Sequence, residues 1–535
     1  MTRDLDEEAP MRKGSLAWVT ISALSLAACS GGASGSDAEE ASDGGAAAAD
    51  PTGGIVFMDS APNPDLDPAG TLSDSSFSQA VLYALYDRIL TFDGAGEIQE
   101  GLATEWSFVD DELRTFEFTL REGVTFHDGE ALTAEVVKAN FERTQELGDA
   151  AGATVRAAAG NIDSIEAADE LTVRVHLQEP DGGFPFALAT QFGMMLSPNS
   201  LDGSTGVDLE AVGTGPYELV SFTPNNTTTM ERFEEFWGGT EGRPATFEVQ
   251  YVTDDQTRLN ALRSGQANVV LLTPRQVSEA EGTGLEVKVN ETSSMWVMYE
   301  NTSEALDDVR VRQALMHAID RESISSALQF DTGQPSVQLA PPGHPAFLED
   351  ADDLYPYDPD KARDLLAEAG HPDGLDLEYV LLNTPEYVQI TEVLQQQFAE
   401  VGITVDIVTL DISQAGQFMS GETGDLMLAR WGGRADLLKT FEVVVGPEGT
   451  YAPGGVATPQ LEEAIVEARG YAADDPERVN ALQAVNRETV ESAANIPVVT
   501  RSNIYAYNEG CFSGLDPYLA SGSNDWRDVT IAPDC

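Results

Sequence analysis

The sequence predicts a mixed α/β protein folded as two lobes, and three observations carry that expectation. Roughly 480 residues follow a polar N-terminal stretch, more than one hydrophobic core usually organises and enough for two. Short segments with apolar residues at every second position alternate with stretches whose apolar residues recur at helical spacing. In the second half, strand, helix and strand follow one another in the order that builds a parallel sheet with right-handed crossovers.

Taken in chain order, "TFEFTLREGVTF" (115–126), "LTVRVHL" (171–177), "FEVQYV" (247–252), "LEVKVN" (285–290) and "MWVMYEN" (295–301) read as strands. Ala134 to Arg143 and Asp255 to Arg263 read as helices between them. Asp358 supplies an N-cap with Pro359 at the first helical position, Ala362, Leu365, Leu366 and Ala369 form one apolar face, and Gly370 ends the helix. The strand "LDLEYVLL" (375–382), a helix over about 386–400 and the strand "ITVDIVTL" (403–410) follow. Two helices are expected near 460–494, and "NIPVVTRSNIYAYN" (495–508) reads as a closing strand pair. No internal repeat is evident. A chain that returns at its end to the lobe it built first would suit a hinged pair.

Residues 11–32, "MRKGSLAWVTISALSLAACSGG", give a basic start (Arg12, Lys13), an apolar run and small residues ahead of Cys29, the pattern of a secretory signal over residues 1–28. The apolar run is shorter than the roughly 20 residues that span a bilayer. Acidic residues before Arg12 are foreign to such a signal, so Met11 is the expected start. Leu26-Ala27-Ala28-Cys29 resembles a lipobox, which makes Cys29 the expected lipidated residue. Residues 29–53, polar and rich in Gly, Ala and Ser, read as a flexible tether. The mature protein is expected to be anchored through lipid rather than to span the membrane. With Cys29 so used, Cys511 and Cys535 can pair in the oxidising environment of an exported protein.

The chain carries 91 acidic against 29 basic residues, a formal net charge of -62. Such an excess excludes nucleic acid and anionic membrane surfaces as partners. The acids are spread along the chain instead of being grouped in calcium loops. With arginine as the main cation, the balance reads as adaptation to high salt, where self-repulsion is screened. Reactive constellations are missing as well: neither a G-x-S-x-G elbow nor a phosphate-binding G-x-x-x-x-G-K-[ST] loop occurs. The histidines at 127, 176, 317, 344 and 371 form no pair at metal-ligand spacing. His127, in "TFHDGEALT", is the most suggestive, and a turn closing a strand explains it equally well. No catalytic residue, metal or cofactor is expected.

Several segments in the same order carry a resemblance to a known family: "NPDLDP" (63–68), "LYDRILTFDGAGEIQEGLATEW", "FTLREGVTFHDGEALTAEVV", "VGTGPYELVSF" (212–222), "FEEFWGGTEGRP" (233–244), "DDVRVRQALMHAIDRESI" (307–324) and "YDPDKARDLLAEAG" (357–370). From about Gly54 to Gly514 the chain resembles the family 5 extracellular solute-binding proteins, the peptide- and nickel-binding group that feeds ABC importers. The resemblance implies a two-lobed periplasmic-binding-protein-like fold of class II, or cluster C, with a hinged interlobe cleft. Lobe I would take 54–290 and 500–535, and lobe II 291–499. It further implies a monomer without enzymatic activity, held at the outer face of the cytoplasmic membrane, passing a small solute, with a peptide favoured, to a membrane permease. Oligosaccharides and acidic metabolites stay open, as does a sensor on the same scaffold; a secreted hydrolase would need a nucleophile with a base beside it. "REGVTFHDG" and "VRQALMHAIDR" would hold the lobes together, with Arg310 and Arg312 in internal ion pairs.

In peptide-binding members of the family a tryptophan-led loop supplies an aspartate to the ligand's ammonium group. "RWGGRADLLKTF" falls where that loop is expected, but Arg434 occupies the place of the aspartate and Asp436 stands two residues later. Either Asp436 bends in and Arg434 pairs with it, or Arg434 faces the cleft, where its planar fork suits a carboxylate, a phosphate or sugar hydroxyls. Trp431 would offer a stacking face in both cases. Gly432 and Gly433 also read as a plain tight turn. Trp296, Tyr299, Asn383 and Tyr451 are further lining candidates, each equally readable as core or turn.

Overall fold

The computed structural model describes residues 50–535 except 51, 61–62, 64, 71–78, 95, 202–205, 208, 302–304, 412–413, 448, 450, 452–457, 516–523 and 534. The expected signal with Met11, the lipidation site Cys29 and the tether as far as residue 49 lie outside the described residues. At its edge, the Asp50 N–H donates to the Ile531 carbonyl at 2.8 Å, beside the first strand, Gly54–Asp59.

Among the described residues ten strands join in one sheet, and two neighbouring inner strands are long. These are Leu285–Glu300 and Ile496–Asn508, paired antiparallel. On one flank Val269–Leu272, Gly54–Asp59, Thr246–Tyr251, Thr227–Arg232 and Tyr217–Thr223 follow in that order. On the other lie Leu426–Trp431, Leu375–Leu382 and Ile403–Leu410, the last two parallel and joined by the helix Pro385–Glu400. Helices cover both faces of the second flank, so alternate residues of one strand enter different cores: Trp296 and Met298 go to one, Met295, Val297 and Tyr299 to the other. A separate four-stranded sheet (Ala103–Phe108, Thr115–Leu120, Thr172–Leu177, Ile162–Ala167) packs Phe116, Phe118, Val173 and Val175 with Val137 and Phe141 of the helix Ala134–Leu147. The molecule is thus a two-lobed α/β protein.

Three local expectations are corrected. Residues 285–290 and 295–301 are one strand, not two, because Glu291–Ser294 contains no turn-forming glycine or proline and stays extended through a register irregularity. Residues 495–508 likewise form one strand instead of a pair. The strand beginning at Thr115 ends at Leu120, where a turn with Gly123 at φ 79° follows.

The irregularity marks the place where the two long strands change flank. Leu285–Glu291 pair with Ser502–Asn508, and Met295–Met298 pair with Ile496–Thr500. Hydroxyls replace the missing backbone pairing: Thr292 donates to the Arg501 carbonyl at 2.8 Å and Ser294 to that of Trp431 at 2.9 Å.

The C-terminal segment closes on the first strands. Trp526 packs between Phe57 and Phe247 at centroid distances of 5.1 and 4.5 Å, while Arg88 pairs with Asp525 and Arg527 with Asp87. Cys511 and Cys535 form a disulfide across 24 residues, a loop whose closure is worth about 3.5 kcal/mol on chain-entropy grounds.

The family-like motifs are structural in their contacts. His127 sits against the Gly213 N–H and the Gly215 carbonyl, at 3.3 and 3.1 Å, and burial pushes its pKa down to about 4. Arg310 pairs with Asp308 at 2.5 Å. Arg312 is chiefly a carbonyl clamp, donating to Leu306, Ser492 and Ala493 at 2.7, 2.8 and 3.0 Å.

Glu300 lies 3.8 Å from Arg312, too far for a hydrogen bond, and neither of its buried oxygens has one. Burial raises its pKa to about 8, against the opposing pull of Arg312, so the carboxyl is neutral at pH 7 in spite of the nearby cation. Because the folded value exceeds the ordinary 4.5, the native state binds this proton more tightly than the unfolded chain does. The resulting stability is full below about pH 4.5 and is lost as pH rises through about 8. Glu300→Gln is expected to flatten that dependence: urea midpoints should match the parent's at the acidic end and exceed it above about pH 8.

Candidate functional site

The strand Leu426–Trp431 ends at the sheet's centre, and Gly433, at φ 71°, turns the chain. Asp436 then caps the helix Leu437–Val444, accepting from the Leu438 N–H at 3.0 Å. Turn and cavity wall coincide: Trp431, Gly432, Gly433, Arg434 and Ala435 border a cavity of about 720 Å³. Opposite them stand Phe57, Asp59, Gln79, Tyr83 and the segment Thr273–Arg275. Ser294 and Arg501–Tyr505, from the strands that cross between flanks, form the back. A cavity of this size with a few placed polar groups is the ordinary form of a small-molecule site.

Its charge is opposite to that of the chain. Among the described residues, five arginines (258, 275, 430, 434, 501) and two carboxylates (Asp59, Glu386) line it. Arg258 is committed to the carbonyls of Val252 and Leu271 at 2.6 and 2.7 Å, and Arg275 to Asp255. Arg501 reaches Glu386 at 3.3 Å and lies 5.5 Å from the centre of the Trp296 ring. Arg430 is half-buried; burial depresses its pKa and the like charge of Arg501 lowers it further. Arg434 lies 5.0 Å from the Trp431 ring centroid and, among the described residues, its side chain donates only a 3.4 Å bond to the Gly433 carbonyl. Among the described residues no carboxylate stands within ion-pair distance of it.

Trp431, Arg434 and Ala435 also border a second cavity, of about 470 Å³. Trp106, Phe108, Phe116, Phe186 and Leu339 make much of its wall. Within that wall Asp436 is buried and held by Arg478 at 2.8 and 2.9 Å. The alternative in which Arg434 pairs with Asp436 is therefore corrected: the guanidinium that takes the aspartate comes from the helix Pro476–Glu491. Gly183 presses on this pair so closely that a Cβ there would lie 2.0 Å from Asp436 Oδ2. Next to it Lys439 bridges Asp181 and Glu442 at 3.2 and 3.1 Å. Burial alone would lower the pKa of Lys439, but the carboxylates around it hold it above the ordinary value.

The other sequence candidates fall in different places. Tyr451 borders the larger cavity, edge-on to Trp431 at 5.4 Å and stacked on Tyr299 at 4.8 Å. Tyr299 and Trp296 are buried on the inner strand behind that wall, Trp296 edge-on to Tyr387 at 4.8 Å. Asn383 is exposed at the end of its strand, its N–H bonded to the Leu410 carbonyl at 2.9 Å, and borders neither cavity. Arg430, Arg501 and Glu386 border the larger one without having been singled out in the sequence. A signal existed for Arg430, which interrupts the apolar strand "LMLARW"; Arg501, in "VVTRSNIY", sits among polar residues and carried none. No group of three or more His, Cys, Asp or Glu converges as metal ligands would among the described residues. No described helix is long and apolar enough to cross a membrane.

Residues 97–442 match the family described as bacterial extracellular solute-binding proteins, family 5 Middle. The glutathione-binding protein GsiB of Salmonella paratyphi A is 29% identical over 357 residues, 65% of this chain and 68% of that protein. HbpA2 of Haemophilus parasuis superposes with a TM-score of 0.78 at 20% identity, covering 89% of this chain and 99% of that one. AgaA of A. tumefaciens R10, solved in complex with agropinic acid, gives 0.74 at 23% identity, covering 90% and 99%.

Removing Asp436 leaves Arg478 charged and buried without its counter-ion, a loss of about 3 to 5 kcal/mol. Asp436→Ala should lower the urea midpoint accordingly, and adding Arg478→Met should recover most of the loss. A single substitution with no effect on the midpoint would contradict a structural role for the pair.

Proposed function

The chain belongs to the family 5 bacterial extracellular solute-binding proteins, and from that premise we propose that it captures a peptide-like solute in the cavity beside Trp431 and hands it to an ABC permease. Service to an ABC importer, outside the cytoplasm, is the family's role. The observation carrying the finer reading is the cavity itself: its walls come from both flanks of the sheet, and its back is the crossing of the two long strands. Bending at the Glu291–Met295 irregularity, with lobe I at 54–290 and 500–535 and lobe II at 291–499, would open and shut it around a bound solute. Trp431 and Tyr451 supply the stacking faces, and the protein works as a monomer. Peptide-like chemistry is favoured by the relatives, one named for binding glutathione, another solved with the peptide STSA. A second reading, an acidic metabolite, is favoured by Arg434, which stands where the resemblance implies an aspartate; agropinic acid in AgaA offers a parallel.

Native mass spectrometry of the full chain purified from its own host should release a solute small enough for the cavity. Small-angle scattering should then show expansion on its removal and contraction on its return. Release of no solute, together with dimensions that stay constant, would count against the reading.

The lipobox-like run before Cys29 supports attachment at the outer face of the cytoplasmic membrane. Cys29→Ala should move the protein from the membrane fraction to the soluble one, and unchanged partitioning would argue against the anchor.

A further inference from the structure

Resting on the solute-binding reading above, we infer that the solute is an acid with an apolar body: its anionic group lies among Arg430, Arg434 and Arg501, and its apolar part passes Trp431 into the second cavity. The first support is charge. Acids outnumber bases about three to one over the chain, yet two carboxylates face five arginines around this cavity. A surface so acidic repels anions, so a cationic recess within it is where an anion gains most, its field concentrated between low-dielectric walls.

The second support is the state of the individual groups. Arg258 and Arg275 are committed elsewhere, to carbonyls and to Asp255. Arg430 and Arg501 lie close enough for their like charges to oppose each other, and Glu386, half-exposed, stands 3.3 Å from Arg501. Arg434 has an aromatic face and one long bond to a carbonyl. The buried indole N–H of Trp431 has no hydrogen-bond partner among the described residues. The side chains named around Trp431 are thus donors, as a carboxylate or similar anion requires. An ammonium group fares worse: Glu386 is engaged by Arg501, Asp436 by Arg478, and Asp59 accepts from the Ser60 N–H at 2.5 Å.

The third support is the second cavity, which shares Trp431, Arg434 and Ala435 with the first. Trp106, Phe108, Phe116 and Phe186 offer aromatic surface; of the charged groups in the wall, Asp436 and Arg478 neutralise each other, and Glu97 and Asp474 are acids that would turn an anionic group away and toward the arginines. His344, in the same wall, is kept neutral by burial, its pKa pushed down to about 4. The preferred occupant is apolar.

The test presents the full chain, freed of co-purified solute, with an equimolar mixture read by native mass spectrometry. The mixture holds N-acetyl-diphenylalanine as the free acid, its C-terminal amide, unacetylated diphenylalanine amide and N-acetyl-diglycine acid. The aromatic acid should be captured at least about tenfold over its amide and over the diglycine acid, and Arg434→Gln should erase about tenfold of that capture. The variant's melting temperature should stay at the parent value, because Arg434 holds no ion pair among the described residues. Equal or stronger capture of an amide, or of the cationic peptide, would overturn the acidic assignment and leave the solute-binding reading standing. Equal capture of the diglycine acid would overturn the apolar half, and an Arg434→Gln variant that binds like the parent would overturn the arginine's part. Capture of none, with no thermal shift, would count against both this inference and the reading beneath it.

Discussion

The antiparallel pairing of Leu285–Glu300 with Ile496–Asn508 is the constraint on which the rest of the structure depends. Their partners lie about two hundred residues apart along the chain, so forming the pair commits the polypeptide to a large loop-closure cost before the ladder repays it. Once formed, it carries one flank of the sheet on each side. The short stretch where regular pairing lapses, Glu291 to Met295, is also where Ser294 grips the Trp431 carbonyl. Cavity wall and strand crossing are tied by this hydrogen bond and by the ladder that pairs Met295 with Trp431 and Trp296 with Arg430. A shift of one strand on the other would therefore be felt directly at the tryptophan loop.

The use of charge follows a division between surface and interior. With acids in such excess, some of the scarce cations serve surface ion pairs, as Arg275 and Arg363 do, and others satisfy groups that water cannot reach. Arg258, Arg312 and Arg321 are buried and donate to backbone carbonyls. Arg478 is buried on an aspartate and on the Tyr471 carbonyl. A guanidinium has five donors in a fixed plane, so one side chain closes several orphan acceptors at strand and helix ends. The same property makes the arginines at the cavity effective toward a ligand. What differs is that Arg434 meets no such set of internal acceptors among the described residues.

Legibility in the sequence follows the range of the interactions involved. The helix Asp255–Arg263 and the strands at 375–382 and 403–410 were readable because caps and periodicity act over a few residues. The single strand across Glu291–Ser294 was not, because its extension is stabilised by neighbours far away in sequence. In the site, the aromatic residue that opens the loop stood out locally. The partner of Asp436 did not: Arg478 is 42 residues on, inside a helix whose own pattern explains it as well as any pairing does.

By itself the sequence determined the α/β class, the order of most elements, the resemblance to a solute-binding family and the glycine turn after Trp431, all of which rest on local patterning. Only the tertiary structure decided which charges meet: that Asp436 is consumed by Arg478, that Trp296 and Tyr299 support the wall from behind, and that Arg430, Arg434 and Arg501 share one cavity. The physical reason is that a side chain's character is local, whereas its electrostatic environment is a sum over groups that the chain brings together only on folding.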